Sequence, residues 1–407
     1  MEKKREQSSF TKYNYVNVFQ AKTQNAKYST SKLLSTVILG ISSGQNRISK
    51  IESFSRDPLV KEMLSIDNKI DEDTIANRFN RFGMKQTDEL MEINGKMSTK
   101  VHEKLGTKKD ILDLDSTVRT VYGNQEGAEK GYNPHKKGAK SLHPLLGFLN
   151  STRECVLSWL RPGDSYTSNN AGEFIKQAFS IIGDTISLLV RTDSGFCDDN
   201  FIKAVEAREN TEYIIKVKLK NLPKVLSGQD WDEIPEMGDW EMTEFPYKAA
   251  KWQKSRKFVA LRHKTNVIKD GILFPKIEYD YFCYVTNIYD SPLLIHKMYG
   301  DRGTCENWIE AVKNQMFAGC MLVHDFWAND ALWLMSVMSY NISLWMRKLT
   351  DEKSWHEEPN TFRNWYVQLA GKIVRSGRQV FLKMYEAYYY KDRWRKIEER
   401  IEKLKFA

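Results

Sequence analysis

One short segment of the chain, Tyr299 to Lys313, combines residue types that could carry out phosphate chemistry. It holds Tyr299, Arg302, Glu306 and Lys313 at spacings of three, four and seven residues. At about 100° per residue on a helix, these four side chains fall within an arc of roughly 60°. A carboxylate can bind a divalent metal, and flanking Arg and Lys side chains can bind phosphate oxygens. The spacing therefore indicates a site that cuts or joins phosphodiesters.

The same segment also has a purely structural interpretation. A solvated helix face with an ordinary Arg–Glu pair at i,i+4 would show the same pattern. Gly300 and Gly303 weaken the first turn as helix. The regular helix could then begin near Thr304 as its N-cap, which would leave Tyr299 and Arg302 in the approach loop. The spacing alone leaves both interpretations open.

Two further acids lie where such chemistry would need them. Asp193 directly follows the apolar strand Thr185–Arg191, and ligands of open α/β sheets bind at the carboxyl ends of strands. Asp115 lies in a predicted strand, but Asp113 is on the same face, so strand periodicity does not choose between them. The structural alternative for Asp193 is a strand-end cap or an ion pair with Arg191, because structural and active-site acids look alike in sequence.

The charge of the chain favours a polyanionic partner. The 407 residues carry a net charge of +9 with a pI near 9.0, which is typical of proteins that bind nucleic acid, although it can also serve solubility alone. The charge is concentrated at the ends, with a net of +7 in residues 1–50 and +6 in residues 372–405. A chain of this length is expected to form two or three domains.

Other functional classes are not indicated. The five cysteines are scattered without a CxxC pair, which argues against a zinc site or a disulfide framework and fits a reducing compartment. No apolar segment follows the charged N-terminal residues, so no signal peptide is predicted. The apolar stretch 328–346 is interrupted by Asn329, Asp330 and Asn341, which favours a buried helix over a membrane span. We expect a cytoplasmic, nucleoid-associated protein without membrane contact.

The pattern of elements predicts a mixed α/β core. From about residue 108 the order is three strands, helix, strand, helix, strand, which fits a hairpin meander leading into right-handed crossovers. The predicted strands are Asp110–Val121, Ser141–Asn150, Glu154–Leu160, Thr185–Arg191 and Glu212–Lys220, and the helices are Asn170–Ile182 and Asp199–Arg208. A long helix at His324–Arg347 is expected to pack under the sheet.

Four regions are predicted along the chain. Residues 1–50 form a basic N-terminal arm, with one helix near 31–39, and residues 51–107 form short helices that resemble a helix-turn-helix, with a small helical support domain as the alternative. Residues 108–350 form the catalytic domain, with a β-rich insertion at about 221–290. Residues 351–407 form a basic helical C-terminal region.

Taken together, these motifs resemble the DDE transposases of bacterial insertion sequences. Within them, the chain is similar to the group marked by a Tyr-x2-Arg-x3-Glu-x6-Lys signature, which Tyr299, Arg302, Glu306 and Lys313 match without a gap. The resemblance extends over residues 50–350. It includes the segment 112–148 around the first aspartate, RTDSGF at 191–196 and HDFWAND at 324–330.

The resemblance implies a fold, a chemistry and roles for individual residues. The fold is an RNase H-like core with a β insertion before the glutamate helix. Asp115, Asp193 and Glu306 would be the catalytic metal ligands for two Mg²⁺ ions, with Mn²⁺ able to substitute. Asp115 is preferred over Asp113 because a hydroxyl residue and Thr follow it, as in the family. The roles implied for the other residues are phosphate binding by Tyr299, Arg302 and Lys313 and base stacking by an insertion Trp, for which Trp231, Trp240 and Trp252 are candidates.

The resemblance also implies partners. These are double-stranded DNA, as terminal inverted repeats and as target, and a second copy of the chain, because joining two ends requires at least two protomers. Two alternatives are a structure-specific nuclease of the same fold and a catalytically silent, transposase-derived DNA-binding protein. The three intact acids argue against the silent protein. For any single Trp, packing in the core of the insertion is the competing role.

Overall fold

The computed structural model describes residues 27–267, 276–351, 353, 355–377 and 379–404. Five helices precede the sheet, and α1 packs against the later helix α11, where the Ser339 hydroxyl donates to the Ile38 carbonyl at 3.3 Å. The predicted helix near 31–39 is therefore present and belongs to the packed structure. The five are α1 (Thr30–Ser42), α2 (Ile48–Phe54), α3 (Pro58–Leu64), α4 (Glu72–Phe79) and α5 (Met84–Leu105).

Helix α5 is longer than the short helices predicted for this region, at 22 residues. Its buried face includes the polar or small residues Asn94, Gly95 and Ser98, so its apolar periodicity is weak. These residues have tertiary partners, since the Asn94 amide donates to the Cys155 carbonyl of the sheet at 3.2 Å. Burial of polar groups with satisfied hydrogen bonds is compatible with a core helix.

The central sheet has nine strands in the order β6-β5-β1-β7-β8-β12-β11-β10-β9. Strand β1 pairs antiparallel with β5 and parallel with β7, and β7 pairs parallel with β8. The helices α6 and α7 connect β6 to β7 and β7 to β8, so the predicted order of elements is confirmed for the central sheet. The strand predicted at Ser141–Asn150 is divided between β5 and a short strand of a second sheet. The bounds are β1 (Lys109–Ser116), β5 (Leu145–Leu149), β6 (Glu154–Trp159), α6 (Ala171–Ile182), β7 (Ser187–Thr192), α7 (Asp199–Glu206) and β8 (Thr211–Lys216).

The chain segment that connects β1 to β5 forms a small second sheet. Its strands β2 (Arg119–Thr120), β3 (Glu129–Lys130) and β4 (Lys140–Leu142) are ordered β2-β4-β3. The strand predicted to run from 110 to 121 is therefore interrupted after Ser116, and residues 117–118 connect the two sheets. This interruption places the second sheet next to the carboxyl end of β1.

The predicted β-rich insertion is present and continues the central sheet. Strand β12 pairs antiparallel with β8, with Val285 opposite Ile215, so the inserted strands extend the sheet instead of forming a separate one. The insertion contains α8 (Leu222–Ser227), β9 (Asp232–Glu233), β10 (Trp240–Tyr247), β11 (Arg256–Val267) and β12 (Lys276–Thr286).

The chain then returns to the core through helices. Helix α9 (Pro292–Gly300) continues through a 3₁₀ turn at 301–303 into α10 (Thr304–Glu310) and a π-helical turn at 311–315. Helix α11 (Phe326–Thr350) is buried along most of its length, as predicted. Its Asn341 side chain is paired with both the N–H and the carbonyl of Cys155. Among the described residues, no helix is both long and apolar enough to cross a membrane.

The C-terminal region contains an element that sequence periodicity did not predict. Besides α12 (Pro359–Phe362), a π-helical turn at 363–367 and α13 (Lys391–Lys403), it has a hairpin of β13 (Gly371–Ser376) and β14 (Gln379–Met384). Its polar and basic residues mask the strand alternation. The division into four domains stays a prediction.

Candidate active site

The first acidic strand holds two aspartates in different environments. Asp113 is fully buried and forms a two-point ion pair with Arg191, whose Nε and Nη2 atoms each lie 2.7 Å from a carboxylate oxygen. The Arg191 Nη1 group also donates to the Met298 carbonyl of α9 at 2.6 Å. Arg191 therefore pairs with Asp113, and not with Asp193 as the structural alternative proposed. Asp113 connects β1, β7 and α9 and has no free oxygen facing solvent.

Asp115, two residues further on, lies at the open end of the strand. It accepts from the N–H of Ser116 at 2.8 Å and forms an ion pair with the Arg302 Nη2 atom at 3.1 Å. Burial raises the pKa of Asp115 to about 6; Arg302 opposes this rise, and the negative charges of Asp193 and Glu306 add to it. The three predicted acids are thus close enough for their charges to interact.

Asp193 is placed by the pairing of two parallel strands. Asp113 lies opposite Arg191 and Leu114 opposite Thr192, so the same register brings Asp193, the first residue after β7, level with Asp115 near the end of β1. Its carboxylate accepts from the N–H of Gly195 at 3.0 Å, capping a short 3₁₀ turn. Because neighbouring strands lie about 4.8 Å apart, the carboxylates of Asp115 and Asp193 are close together at this edge of the sheet.

The glutamate and the cations come from the helical segment after the insertion. Glu306 is exposed in the first turn of α10. Helix α10 begins at Thr304, as the alternative interpretation expected, but its N-cap is Gly303. Tyr299 and Arg302 lie in the helical turns before it, so the approach loop of that interpretation is wrong. Because a 3₁₀ turn and a π-helical turn interrupt the segment, the four side chains do not follow one uniform α-helical face.

Arg302 is almost completely buried, with 7% of its surface exposed. Its Nη2 group donates to the Leu114 carbonyl at 3.1 Å as well as to Asp115. In the described part of the chain its Nε group has no hydrogen-bond partner. Burial alone would lower the pKa of Arg302, but Asp115, Tyr299 and Asp193 raise it above its ordinary value. Arg302 therefore stays charged and fixes the carboxylate of Asp115.

Lys313 and Tyr299 border the carboxylates on two sides. The Lys313 ammonium donates to the Thr117 hydroxyl and the Val118 carbonyl, both at 3.0 Å, and burial lowers its pKa. The Tyr299 ring packs on Tyr284 at 4.7 Å between centroids. Burial raises the pKa of Tyr299 to about 12, which Arg302 opposes and Asp193 and Asp115 reinforce. The phenol is therefore protonated at neutral pH and can donate a hydrogen bond.

The three tryptophans all lie in the insertion. Trp252 is buried beneath the Arg256 guanidinium and against Phe258. The partly buried Trp240 stacks on His263 and Phe282, with ring centroids 4.9 and 5.5 Å away, and Trp231 lies 4.3 Å from the Arg262 guanidinium. The structure gives each ring a packing role, and base stacking by any of them stays a prediction.

A loop that no sequence motif indicated contacts both aspartate segments. The Thr167 hydroxyl lies 3.1 Å from that of Ser116, and Thr167 also packs on Gly195, where an added Cβ would come within 2.9 Å of it. No spacing in the sequence links residue 167 to residues 116 and 195, because strand pairing brings them together.

The donor set fits a hard divalent cation, since Asp115, Asp193 and Glu306 offer oxygen ligands only. Burial and the negative charges of the two other acids raise the pKa of Asp115. A bound cation would offset this repulsion between the carboxylates. As the side chains stand, no group of three or more acids, histidines or cysteines in the described part is set to hold a metal ion. Arg302 occupies one oxygen of Asp115 instead.

Comparisons with known proteins identify the family of the chain. The family model described as "Transposase DDE domain group 1" matches residues 12–406. A search of curated protein sequences found no match.

Two solved structures among the matches are transposase–DNA complexes. One is a piggyBac transposase synaptic complex with hairpin DNA, 12% identical, with a TM-score of 0.45, covering 83% of this chain and 71% of the other. Another is a Mos1 transposase paired-end complex with the left transposon end, 10% identical, with a TM-score of 0.19, covering 38% and 52%. The family model spans nearly the whole chain, and its match establishes that this chain belongs to the DDE transposases, in the group-1 family of transposase DDE domains.

Proposed function

We propose that this transposase binds the terminal inverted repeats of an insertion sequence, cleaves DNA at their ends and transfers the strands to a target. The observation that carries the proposal is the grouping of Asp115, Asp193 and Glu306, with Arg302 and Lys313 beside them, at the carboxyl edge of β1 and β7. No nucleophilic side chain is required, because the attacking group in phosphoryl transfer can be water or a DNA 3′-OH.

DDE transposases generally use divalent metal ions, and we propose that Mg²⁺ is the ion used here, with Mn²⁺ as a substitute. The three carboxylates would hold two such ions, which when bound activate the attacking oxygen and stabilise the leaving one. Glu306, exposed in its first helical turn, can move toward Asp115 and Asp193 as the site is completed. Arg302 pairs with one oxygen of Asp115, so metal binding by that oxygen would require the guanidinium to shift.

The remaining side chains act on the phosphate. Lys313 holds a positive charge beside Thr117, at the end of the strand that carries Asp115, where it can bind a non-bridging oxygen. The Tyr299 phenol, protonated at neutral pH, can donate a hydrogen bond to phosphate. Arg302 is buried and paired with Asp115, so it would reach a phosphate only after its guanidinium moves away from that carboxylate.

The test is Mg²⁺-dependent cleavage of the DNA that flanks the gene, comparing the wild type with Glu306→Gln. We expect cleavage at fixed ends for the wild type and its loss in the variant, with DNA binding retained. Glu209→Gln is the matched control. Glu209 is exposed and precedes β8, so it lies at the amino ends of the parallel strands and the three acids lie at their carboxyl ends. Binding without cleavage in Mg²⁺ or Mn²⁺ would favour a silent DNA-binding protein, and cleavage without joining would favour a nuclease.

The assembly and location proposed are a homodimer on DNA in the cytoplasm, associated with the nucleoid. Two protomers supply one active site for each end. Mass measurement with and without end-containing DNA tests this: a protein that stays monomeric on DNA while still joining two ends would contradict it.

A further inference from the structure

A surface beside the active site carries exposed tyrosines and lysines that catalysis does not use. It lies on the small sheet β2-β4-β3 and on the loop 161–170 that covers it. Tyr122, Tyr132 and Tyr166 are 83%, 74% and 74% exposed. We name this surface the tyrosine–lysine patch; its residues are Tyr122, Tyr132, Tyr166, Lys130, Lys136 and Lys140, all exposed.

The loop that carries Tyr166 is fixed firmly to the protein. The buried Arg161 guanidinium donates to the carbonyls of Tyr166 and Asn169, both at 3.1 Å, and to the His143 carbonyl at the same distance. Gly163 lies so close to β4 that an added Cβ would meet the Ser141 carbonyl at 2.0 Å. Tyr166 is therefore an exposed ring on a backbone with little freedom.

The same loop places the patch next to the catalytic acids. Thr167, adjacent to Tyr166, contacts both Ser116 and Gly195, which are neighbours in sequence of Asp115 and Asp193. The loop also meets the start of the Tyr132 segment, because an added Cβ on Gly131 would lie 1.9 Å from the Gly163 carbonyl. Tyr132 and Tyr166 thus lie on two segments in direct contact.

The lysines of the patch are placed where an anion would relieve their repulsion. Lys130 and Lys140 are directly opposed on β3 and β4, an arrangement that is unfavourable for like charges. Glu129 points to the other face, because successive side chains on a strand alternate. The Lys136 ammonium lies 4.6 Å from the centre of the Tyr122 ring, so a cation and an aromatic face are presented together.

Exposed lysines outnumber exposed acids in the segments 119–142 and 161–170 that carry the patch. The four lysines are at 130, 136, 137 and 140, and the three acids are Glu126, Glu129 and Asp164. Glu126 also accepts from the N–H of Phe326 at the start of α11. Three exposed rings combined with cations match the chemistry of unpaired nucleotides, since bases stack on aromatic faces while lysines neutralise the phosphates.

We propose that the tyrosine–lysine patch binds single-stranded DNA, namely unpaired nucleotides adjacent to the phosphodiester at the active site. The proposal rests on the proposed function, because it assigns these nucleotides to the DNA end being processed. Duplex DNA offers its phosphates to the lysines but keeps its bases stacked inside. The tyrosines therefore distinguish a frayed or overhanging end from a blunt one.

The experiment measures binding by full-length Glu306→Gln protein, which is expected not to cut its substrate. Fluorescence anisotropy gives Kd for a blunt duplex and for the same duplex with an oligothymidylate overhang, with 2-aminopurine in the overhang to report stacking. Arbitrary sequence suffices, because aromatic stacking tolerates any base. We expect tighter binding of the overhang DNA, with quenched 2-aminopurine fluorescence.

The decisive variant is Tyr132→Ala/Tyr166→Ala. We expect it to weaken overhang binding about tenfold or more, since stacking on one ring is worth roughly 1–3 kcal/mol, and to leave blunt-duplex binding unchanged. Tyr132→Phe/Tyr166→Phe keeps the rings and should bind like the parent. Tyr289→Ala/Tyr389→Ala, which removes two exposed tyrosines elsewhere, should also bind like the parent.

Two results would overturn the proposal: equal binding of both DNAs by the parent, or equal losses on both DNAs in the alanine variant. Thermal unfolding of each variant confirms that the fold is intact, as expected for exposed side chains. The assay requires no cleavage, so a negative cleavage test of the proposed function leaves this result interpretable. Conversely, normal cleavage with no overhang preference would reject the patch alone.

Discussion

At the scale of single residues, the structure separates two aspartates that the strand period leaves equivalent. Asp113 is buried and fully paired with Arg191, whereas Asp115 faces the other acids. We predict that Asp113→Ala destabilises the fold by about 3–5 kcal/mol, because it leaves the Arg191 charge buried without its partner. Urea unfolding of the purified variant measures this loss.

The companion change, Asp115→Asn, should act on catalysis. We expect it to abolish cleavage and to cost much less stability than Asp113→Ala, since removing one of three neighbouring negative charges relieves repulsion while it weakens the pair with Arg302. A folded, inactive Asp115→Asn protein beside a poorly folded Asp113→Ala protein is the predicted pair of outcomes. The reverse pair would assign the catalytic role to Asp113.

Arg302 competes with a metal ion for Asp115. Its Nη2 group lies 3.1 Å from the carboxylate, so ligation by that oxygen requires the guanidinium to shift. We predict that Arg302→Gln binds Mn²⁺ more tightly than the wild type in the absence of DNA, measured by electron paramagnetic resonance of the free ion, although its cleavage is reduced. Lys313→Gln, which leaves Asp115 unchanged, is the control. Weaker Mn²⁺ binding by Arg302→Gln would show that the guanidinium orients the ligands instead of blocking them.

At the scale of elements, the N-terminal end of α11 contains a buried acid that affects stability with pH. The Asp330 carboxylate accepts from the Leu160 N–H at 3.2 Å, and burial raises its pKa to about 7. Because folding raises this pKa, the stability that Asp330 contributes is fully present below about pH 4, where an ordinary aspartate titrates. That stability is lost as the pH rises through about 7.

We therefore predict that Asp330→Asn is more stable than the wild type at pH 8, by a few kcal/mol, and that this advantage shrinks as the pH falls to 5. The amide keeps the acceptor for Leu160 and carries no charge. Urea unfolding at the two pH values measures the difference. A gap that is constant with pH would mean that Asp330 titrates in its ordinary range.

We propose that α3 and α4, which lie in the region predicted to resemble a helix-turn-helix, bind the inverted repeat. Asp57 caps α3 by accepting from the Leu59 N–H at 2.7 Å, and Arg78 and Arg81 lie at and just beyond the end of α4. We predict that Arg78→Ala/Arg81→Ala weakens binding to the transposon end by about 1–3 kcal/mol for each base that an arginine reads, with little effect on random DNA. Lys96→Ala on α5 is the control, and anisotropy titrations with both DNAs would show equal losses if the arginines bind phosphates only.

The elements that the sequence predicts differ in their buried residues from those that it does not predict. The apolar strand β7 and the amphipathic helix α6 were predicted to within two residues because each buries a regular apolar pattern. Helix α5 and the hairpin β13–β14 were not, because α5 buries small and polar side chains and the hairpin is rich in polar and charged ones. The set of Asp115, Asp193 and Glu306 was expected from the family resemblance, whereas strand periodicity left Asp113 and Asp115 equivalent. The loop around Arg161 was not, since its contacts with Ser116 and Gly195 arise from strand pairing.

At the scale of the whole molecule, the proposed homodimer would give each DNA end its own active site. We predict that Glu306→Gln protein mixed with wild type poisons strand joining more strongly than single-end cleavage. If each protomer acts on one end, the joined product should fall as the square of the wild-type fraction, whereas cleavage of single ends falls in proportion to it. The Glu209→Gln protein, mixed in the same ratios, should leave both yields unchanged. A yield of joined product that falls only in proportion to the wild-type fraction would mean that one protomer processes both ends in turn. That result would contradict the proposed homodimer with one active site for each end.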